Sequence, residues 1–217
     1  MNGILSPDKN PAYGDWTSLP VSLWDEFESL RIEGENQALH DPGGDYRLPL
    51  LGDTLLIRPT DRYMAWENTK KEPTFQEGLV ALTYLTNFKP IDLSQKWISP
   101  SELPGGRTFF GPGSHPPKTD GILSAWSQDP ERFQAIVKTL RGDTILEGDE
   151  GVQIPSLPKV PLRYVFWRGE TTLPPAVTLL VNATAHLFLP LDVLWALINL
   201  TDQCFTAPWK SPFSTEE

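Results

Sequence analysis

Cysteine is nearly missing from this chain. Only Cys204 occurs in 217 residues. That excludes an intrachain disulfide, and any iron–sulfur or zinc cluster held by this chain's cysteines alone. Histidine is almost as scarce. His40, His115 and His186 are the three, and none has a partner at the spacing of His-x-x-x-His or His-Glu-x-x-His. Positive charge is short as well: 18 Lys and Arg stand against 28 Asp and Glu, a formal net charge of −10. A phosphate backbone needs clustered cations. The adjacent pair Lys70-Lys71 is flanked by Glu67 and Glu72. Neither nucleic acid nor an anionic membrane is expected as a partner.

Long hydrophobic runs are missing too. The longest, Leu187 to Leu200, contains Asp192 and Asn199 and falls short of the ~20 residues a bilayer crossing needs. The opening MNGILSPDKNPAYGD has no basic n-region and no apolar h-region. The expectation is a soluble, cytoplasmic protein.

Several catalytic motifs are also lacking. In PGGRTFFGPGSHPP, residues 104–117, Gly106 and Gly111 are followed by Pro112-Gly113 rather than the Lys-Ser/Thr of a P-loop. Pro112 also removes an amide from any phosphate cradle. Ser114-His115 sits in no Gly-x-Ser-x-Gly elbow. The acid-rich stretches DPGGD (41–45) and EGDEG (147–151) lack the alternation of a calcium loop and read as solvated turns. Cys204, near a helix C-terminus, faces the negative end of the dipole, which disfavours a thiolate.

What the chain does have is proline and tryptophan, 22 and eight residues. Proline fixes φ and removes a donor, so the expectation is short elements joined by long ordered loops. Residues 1–19 read as a loop. A helix starts at Pro20 with Leu23, Phe27 and Leu30 on one face, and Gly34 lies past its end. Two strands, Tyr46–Leu51 and Thr54–Ile57, flank a predicted Gly52-Asp53 turn. Pro49 marks its strand as an edge or a bulge. Thr74 and Glu77 form a capping box for a helix reaching about Phe88. Asp129, Pro130 and Gly142 bracket a helix with a Phe133, Ile136, Val137, Leu140 stripe. Strands follow at 162–169 and 176–184, then a nearly all-apolar helix from Pro190 to about Asp202. Without βαβ alternation this is an α+β fold, with a small antiparallel or mixed sheet carrying several short helices. Residues 1–35 are expected as an N-terminal extension with one helix, and 36–217 as a single domain.

The stretch LLVNATAHLFLP, 179–190, puts His186 between the last strand and the last helix. Its expected role is to bond a backbone carbonyl at that junction. The sharper expectation makes it line an apolar pocket walled by Trp167, Trp195 and Phe188.

Two blocks carry a family resemblance. One is GLVALTYLTNFKPIDLSQKWISPSELPGGRTFF, residues 78–110. The other is LPKVPLRYVFWRGETTLPPAVTLLVNATAHLFLPLDVLWALINL, residues 157–200. In order and spacing they resemble a prokaryotic domain of unknown function, family 3786. The resemblance implies a family of anaerobic bacteria and archaea, with some members joined to iron–sulfur modules, and no established reaction. It also implies an acid-rich turn where this chain has Gly169–Pro174, Asp at the position of Asn182, and Glu-Asp at Leu191-Asp192. This chain keeps Glu170 and Asp192 of those acids.

Three functions are weighed. The first is a non-enzymatic binding or accessory domain of anaerobic metabolism, for a small apolar or tetrapyrrole-like ligand or for a partner protein. Its candidate ligand-binding residues are His186, Trp167, Trp195, Glu170, Asn182 and His115. The second is an enzyme using Glu170, Asp192 and Glu102 as a carboxylate cluster in a cleft. The third is a degenerate structural or interaction paralogue.

Overall fold

A two-residue turn sets the first sheet. In the computed structural model, which describes residues 15–29, 39–40, 44–170 and 172–206, Leu51 and Gly52 both have positive φ, 50° and 83°. That pair of angles is a hairpin turn whose twist matches the flanking strands. The turn therefore sits one residue earlier than Gly52-Asp53. Gly52 is obligatory for space as well: a Cβ there would lie 2.3 Å from the carbonyl oxygen of Thr139. Asp53 instead opens the next strand, where its Oδ1 accepts from the Thr54 amide and the Asn68 Nδ2, each at 2.7 Å. Of the loop expected over 1–19, residues 1–14 lie outside the described residues, as do the helix stop at Gly34 and the boundary at 35/36, while Trp16–Ser18 form a short 3-10 helix capped by Asp15.

Strands β1 (Leu39–His40), β2 (Tyr46–Leu50), β3 (Asp53–Arg58) and β4 (Tyr63–Trp66) pair antiparallel in chain order. The pairing of β1 with β2 ends at Arg47. Among the described residues, Pro49 therefore has no strand beside it on that side, and its missing amide costs no ladder bond there. Helix α1 (Val21–Ser29) buries Trp24 and Phe27, and Phe27 packs edge-on against Tyr46. Residues of the expected N-terminal extension thus belong to the common core.

Helix α2 (Phe75–Thr86) starts with the predicted reciprocal cap. The Glu77 amide donates to Thr74 Oγ1, and the Thr74 amide donates to Glu77 Oε2. A short strand, β5 (Trp97–Ile98), and a one-turn helix, α3 (Gly106–Phe109), follow it. Next come α4 (Asp120–Gln128) and α5 (Pro130–Thr139), the latter capped by Asp129 through the Arg132 amide at 3.1 Å.

The second sheet is larger and wholly antiparallel. It contains β6 (Asp143–Ile145), β7 (Glu150–Ile154), β8 (Leu162–Trp167) and β9 (Ala176–Asn182), in the order β5-β9-β8-β7-β6. Helix α6 (Leu191–Thr206) closes the described chain. The α+β class holds, with two sheets where one was expected.

Alternation along β8 decides which face is core. Leu162, Tyr164 and Phe166 are fully buried. Phe166 stacks on Trp126 of α4 with centroids 4.8 Å apart, and meets Phe133 of α5 edge-on at 5.3 Å. Each such side chain contributes about 1.5–3 kcal/mol on burial. The other face carries Arg163, Val165 and Trp167, next to Leu180, Thr178 and Ala176 of β9. Arg163 lies across the Trp97 ring at 3.8 Å and is held by Gln153 and Glu147.

Candidate functional site

Two turns meet at one end of the second sheet. One joins β6 to β7 over residues 146–149, and the other joins β8 to β9 over 168–175. They are tied together: the Asp149 amide donates to the Phe166 carbonyl at 3.0 Å, and the Arg168 amide donates to Asp149 Oδ2 at 2.8 Å. Among the described residues, three of the exposed large hydrophobics are found here. Leu146 is fully exposed, Leu173 is 64% exposed and Trp167 is 47% exposed. Trp167 is fixed by its indole, which donates to Thr178 Oγ1 at 3.1 Å. The acids around it are largely engaged, Glu147 with Arg163 and Asp149 with the Arg168 amide. The result is one end of the sheet that exposes an aromatic and two leucines on hydrogen-bonded backbone, residue types suited to an interface anchor.

A second feature runs along α6. Trp195, Asn199, Asp202 and Thr206 fall at helical spacing on one face. Trp195 donates from its indole to the Pro116 carbonyl at 3.2 Å. Asp202 Oδ1 accepts from the Ile122 amide at 2.9 Å. Burial pushes the Asp202 carboxyl above its ordinary range, opposed by the amides of Ile122 and Gly121. Asn199 lies between these contacts and is buried, yet its Oδ1 has no hydrogen-bond partner. The segment opposite contains Pro116 and Pro117, which have no amide hydrogen to give. A buried acceptor left unpaired costs about 1–3 kcal/mol.

The predicted site residues separate into two groups. His115 and Trp195 do come together. Phe109 stacks on His115 at 4.5 Å, and His115 meets the Trp195 ring edge-on at 5.5 Å. This ladder is at the surface, and Ser114 Oγ bonds His115 Nδ1 at 3.0 Å. His186 sits in the short turn between β9 and α6, with Nδ1 buried and unpartnered. The bond to a backbone carbonyl expected of it is not formed through that nitrogen.

The other group does not join them. Trp167 stands at the Ala176 end of β9, while His186 and α6 follow from the Asn182 end. At 7 residues, β9 separates those ends by about 20 Å. Phe188 is inside the core, stacked on Tyr84 at 6.0 Å. The pocket expected from Trp167, Trp195 and Phe188 is therefore not assembled.

The expected carboxylate cluster is not assembled either. Glu170 is exposed in the β8–β9 turn, where its backbone pairs with Leu173. Asp192 is exposed in the first turn of α6, beyond the opposite end of β9. Glu102 caps the Ser99 amide at 2.9 Å.

Asn182 is fully buried and entirely engaged. Its Oδ1 accepts from the amides of Ser94 and Thr184, and its Nδ2 donates to the Ser94 carbonyl at 2.7 Å. The amide donor is what this position uses, so Asn182 staples the 88–96 segment to β9. Burial, reinforced by Glu77, pushes the Cys204 thiol up to about 12, which disfavours its thiolate.

Among the described residues no group of three His, Cys, Asp or Glu is placed to hold a metal ion, and no helix is long and apolar enough to cross a membrane. No match was found among curated proteins or among solved structures. A family model, described as a domain of unknown function, DUF3786, matches residues 31–203. That span includes both sheets and most of α6, and the chain belongs to this family.

Proposed function

We propose that this chain is a non-enzymatic accessory domain that docks a partner protein on the turn-bearing end of its second sheet. One observation carries the reading: Leu146 and Leu173, on two turns that hydrogen-bond to each other, and Trp167, at the end of β8, are exposed at the same end of the sheet. A rigid aromatic flanked by aliphatics loses little side-chain freedom on binding and buries a large area. The net charge of −10 favours a partner whose contact is apolar at its centre and basic at its rim. The separation of Glu170 from Asp192 removes the support for a carboxylate enzyme. The separation of Trp167 from Trp195 removes the support for a tetrapyrrole between them. The family resemblance makes a component of anaerobic metabolism the natural partner.

The test is affinity purification from the native host with two forms of the protein. One is wild type; the other carries Leu146→Ser, Trp167→Ser and Leu173→Ser, with its fold checked by circular dichroism. The reading predicts a stoichiometric companion of the wild type that the triple variant loses. A companion retained by the folded variant would contradict it.

A further inference from the structure

The unpaired Asn199 on α6 has a structural counterpart in the segment above it. After Gly111 the chain runs from the Trp195 contact at Pro116 to Ile122, whose amide Asp202 holds, and Asn199 lies between Trp195 and Asp202 on that face of α6. Its backbone bonds are local: the His115 amide donates to the Phe109 carbonyl and the Ser114 amide to the Gly111 carbonyl, both at 3.1 Å. Pro112, Pro116 and Pro117 supply no amides. Residues 112–116 are all exposed. The described contacts to α6 are the Trp195 indole bond to Pro116, the His115–Trp195 ring contact and the attraction of Lys118 for Asp202. Beyond the segment the chain is firmly fixed, because α4 begins at Asp120 and Asp202 holds the Ile122 amide.

We propose that residues 111–119 form a strap that swings off α6, hinged between α3 and α4, and uncovers Asn199. Closure excludes water from the Asn199 carbonyl without giving it a donor, so closure is penalised. Opening breaks one exposed hydrogen bond and one edge-on ring contact and weakens the attraction of exposed Lys118 for Asp202, while the core of α4, α5 and β8 stays intact. An equilibrium of this kind is a local opening, well below global unfolding in free energy. The strap thus joins two of the residues singled out from sequence, His115 and Trp195, in a moving part.

The protein carries its own control for the test. Its single native thiol, Cys204, is half-buried and bonds the Leu200 carbonyl, so its labelling in the wild type sets the background. In Asn199→Cys, a thiol reagent in native buffer should modify position 199 roughly tenfold or more faster than global unfolding allows, since local opening precedes unfolding. Adding Trp195→Phe, which keeps a ring but removes the indole donor, should speed that labelling further and leave Cys204 unchanged. Asn199→Leu should raise the melting temperature by a few degrees, because it removes the unpaired acceptor from the closed state. Labelling of position 199 no faster than global unfolding in both backgrounds would overturn the strap. A lowered melting temperature for Asn199→Leu would show that the carboxamide is satisfied in the closed form, and would overturn it equally.

Discussion

Asp202, near the end of α6, caps the start of a different helix: its Oδ1 accepts the Ile122 amide of α4 at 2.9 Å. The residue at the N-cap position of α4, Thr119, makes no capping bond with its own side chain. The helix start is thus stabilised by a residue 80 positions away in sequence. A carboxylate on the positive end of a helix dipole is favourable, but this one is buried for it.

The pH dependence that follows has an unusual sign for an acid. The folded-state pKa of Asp202 is raised above its unfolded value. The folded chain therefore takes up this proton first as pH falls. Its contribution to stability is smallest above the raised pKa and recovers as pH drops through it towards the unfolded value. Asp202→Asn keeps an acceptor for Ile122 without the charge. Melting curves across pH should show the wild type gaining on Asp202→Asn on acidification. A wild type that loses ground to the variant over that range would reverse the sign.

Gly121 marks where α4 rests on α6. A Cβ there would stand 2.3 Å from Thr206 Cγ2 and 2.8 Å from Asp202 Oδ2. Gly121→Ala should cost about 1–3 kcal/mol by overpacking, despite alanine's better helix propensity. Thr206→Ser removes the offending methyl and should restore part of that loss in the double variant. Strict additivity of the two changes in denaturant unfolding would contradict direct contact.

Asn182→Asp tests whether this buried position needs a donor. The Ser94 carbonyl, 2.7 Å from Nδ2, would face a carboxylate oxygen. The expected loss at neutral pH is about 1–3 kcal/mol or more. It should shrink at acidic pH, when the carboxylic acid can donate again. An aspartate variant as stable as wild type at pH 7 would show that the staple to Ser94 is dispensable.

The legible parts of this fold are those stabilised by neighbours in sequence. The Thr74–Glu77 box and the Asp129-Pro130 start are local devices, and both helices form as the spacing predicts. Strands β8 and β9 were visible as apolar runs. Helix α4 was not, since its cap comes from Asp202. The β6–β7 hairpin escaped because β6 is 3 residues long and half polar, and its turn uses Gly148 at φ 65°. The β2–β3 turn was misplaced by one residue because Leu51 accepts a positive φ that composition gives no reason to expect.

The site was legible only in part. His115 and Trp195, expected from sequence among the ligand-binding residues, meet in the fold, although 79 residues separate Trp195 from its partner Pro116. Trp167 was chosen as a pocket wall. Its strand position was right, but which end of the sheet it occupies depends on the β8–β9 register. Leu146 and Leu173 passed unnoticed, since an exposed leucine has no sequence signal until two turns bring several together. The orphaned carbonyl of Asn199 is likewise a tertiary fact, visible only once Pro116 and Pro117 are seen near it.

The central claim is most directly tested by where a partner touches this chain in its own cell. A photo-crosslinking residue at Leu173 lies on the proposed docking end. The same residue at exposed Gln95, just before β5, lies towards the Asn182 end of β9. Irradiated in the native host, position 173 should yield one dominant protein adduct and position 95 none. An adduct from position 95 alone, or from neither position, would contradict docking through Leu146, Trp167 and Leu173.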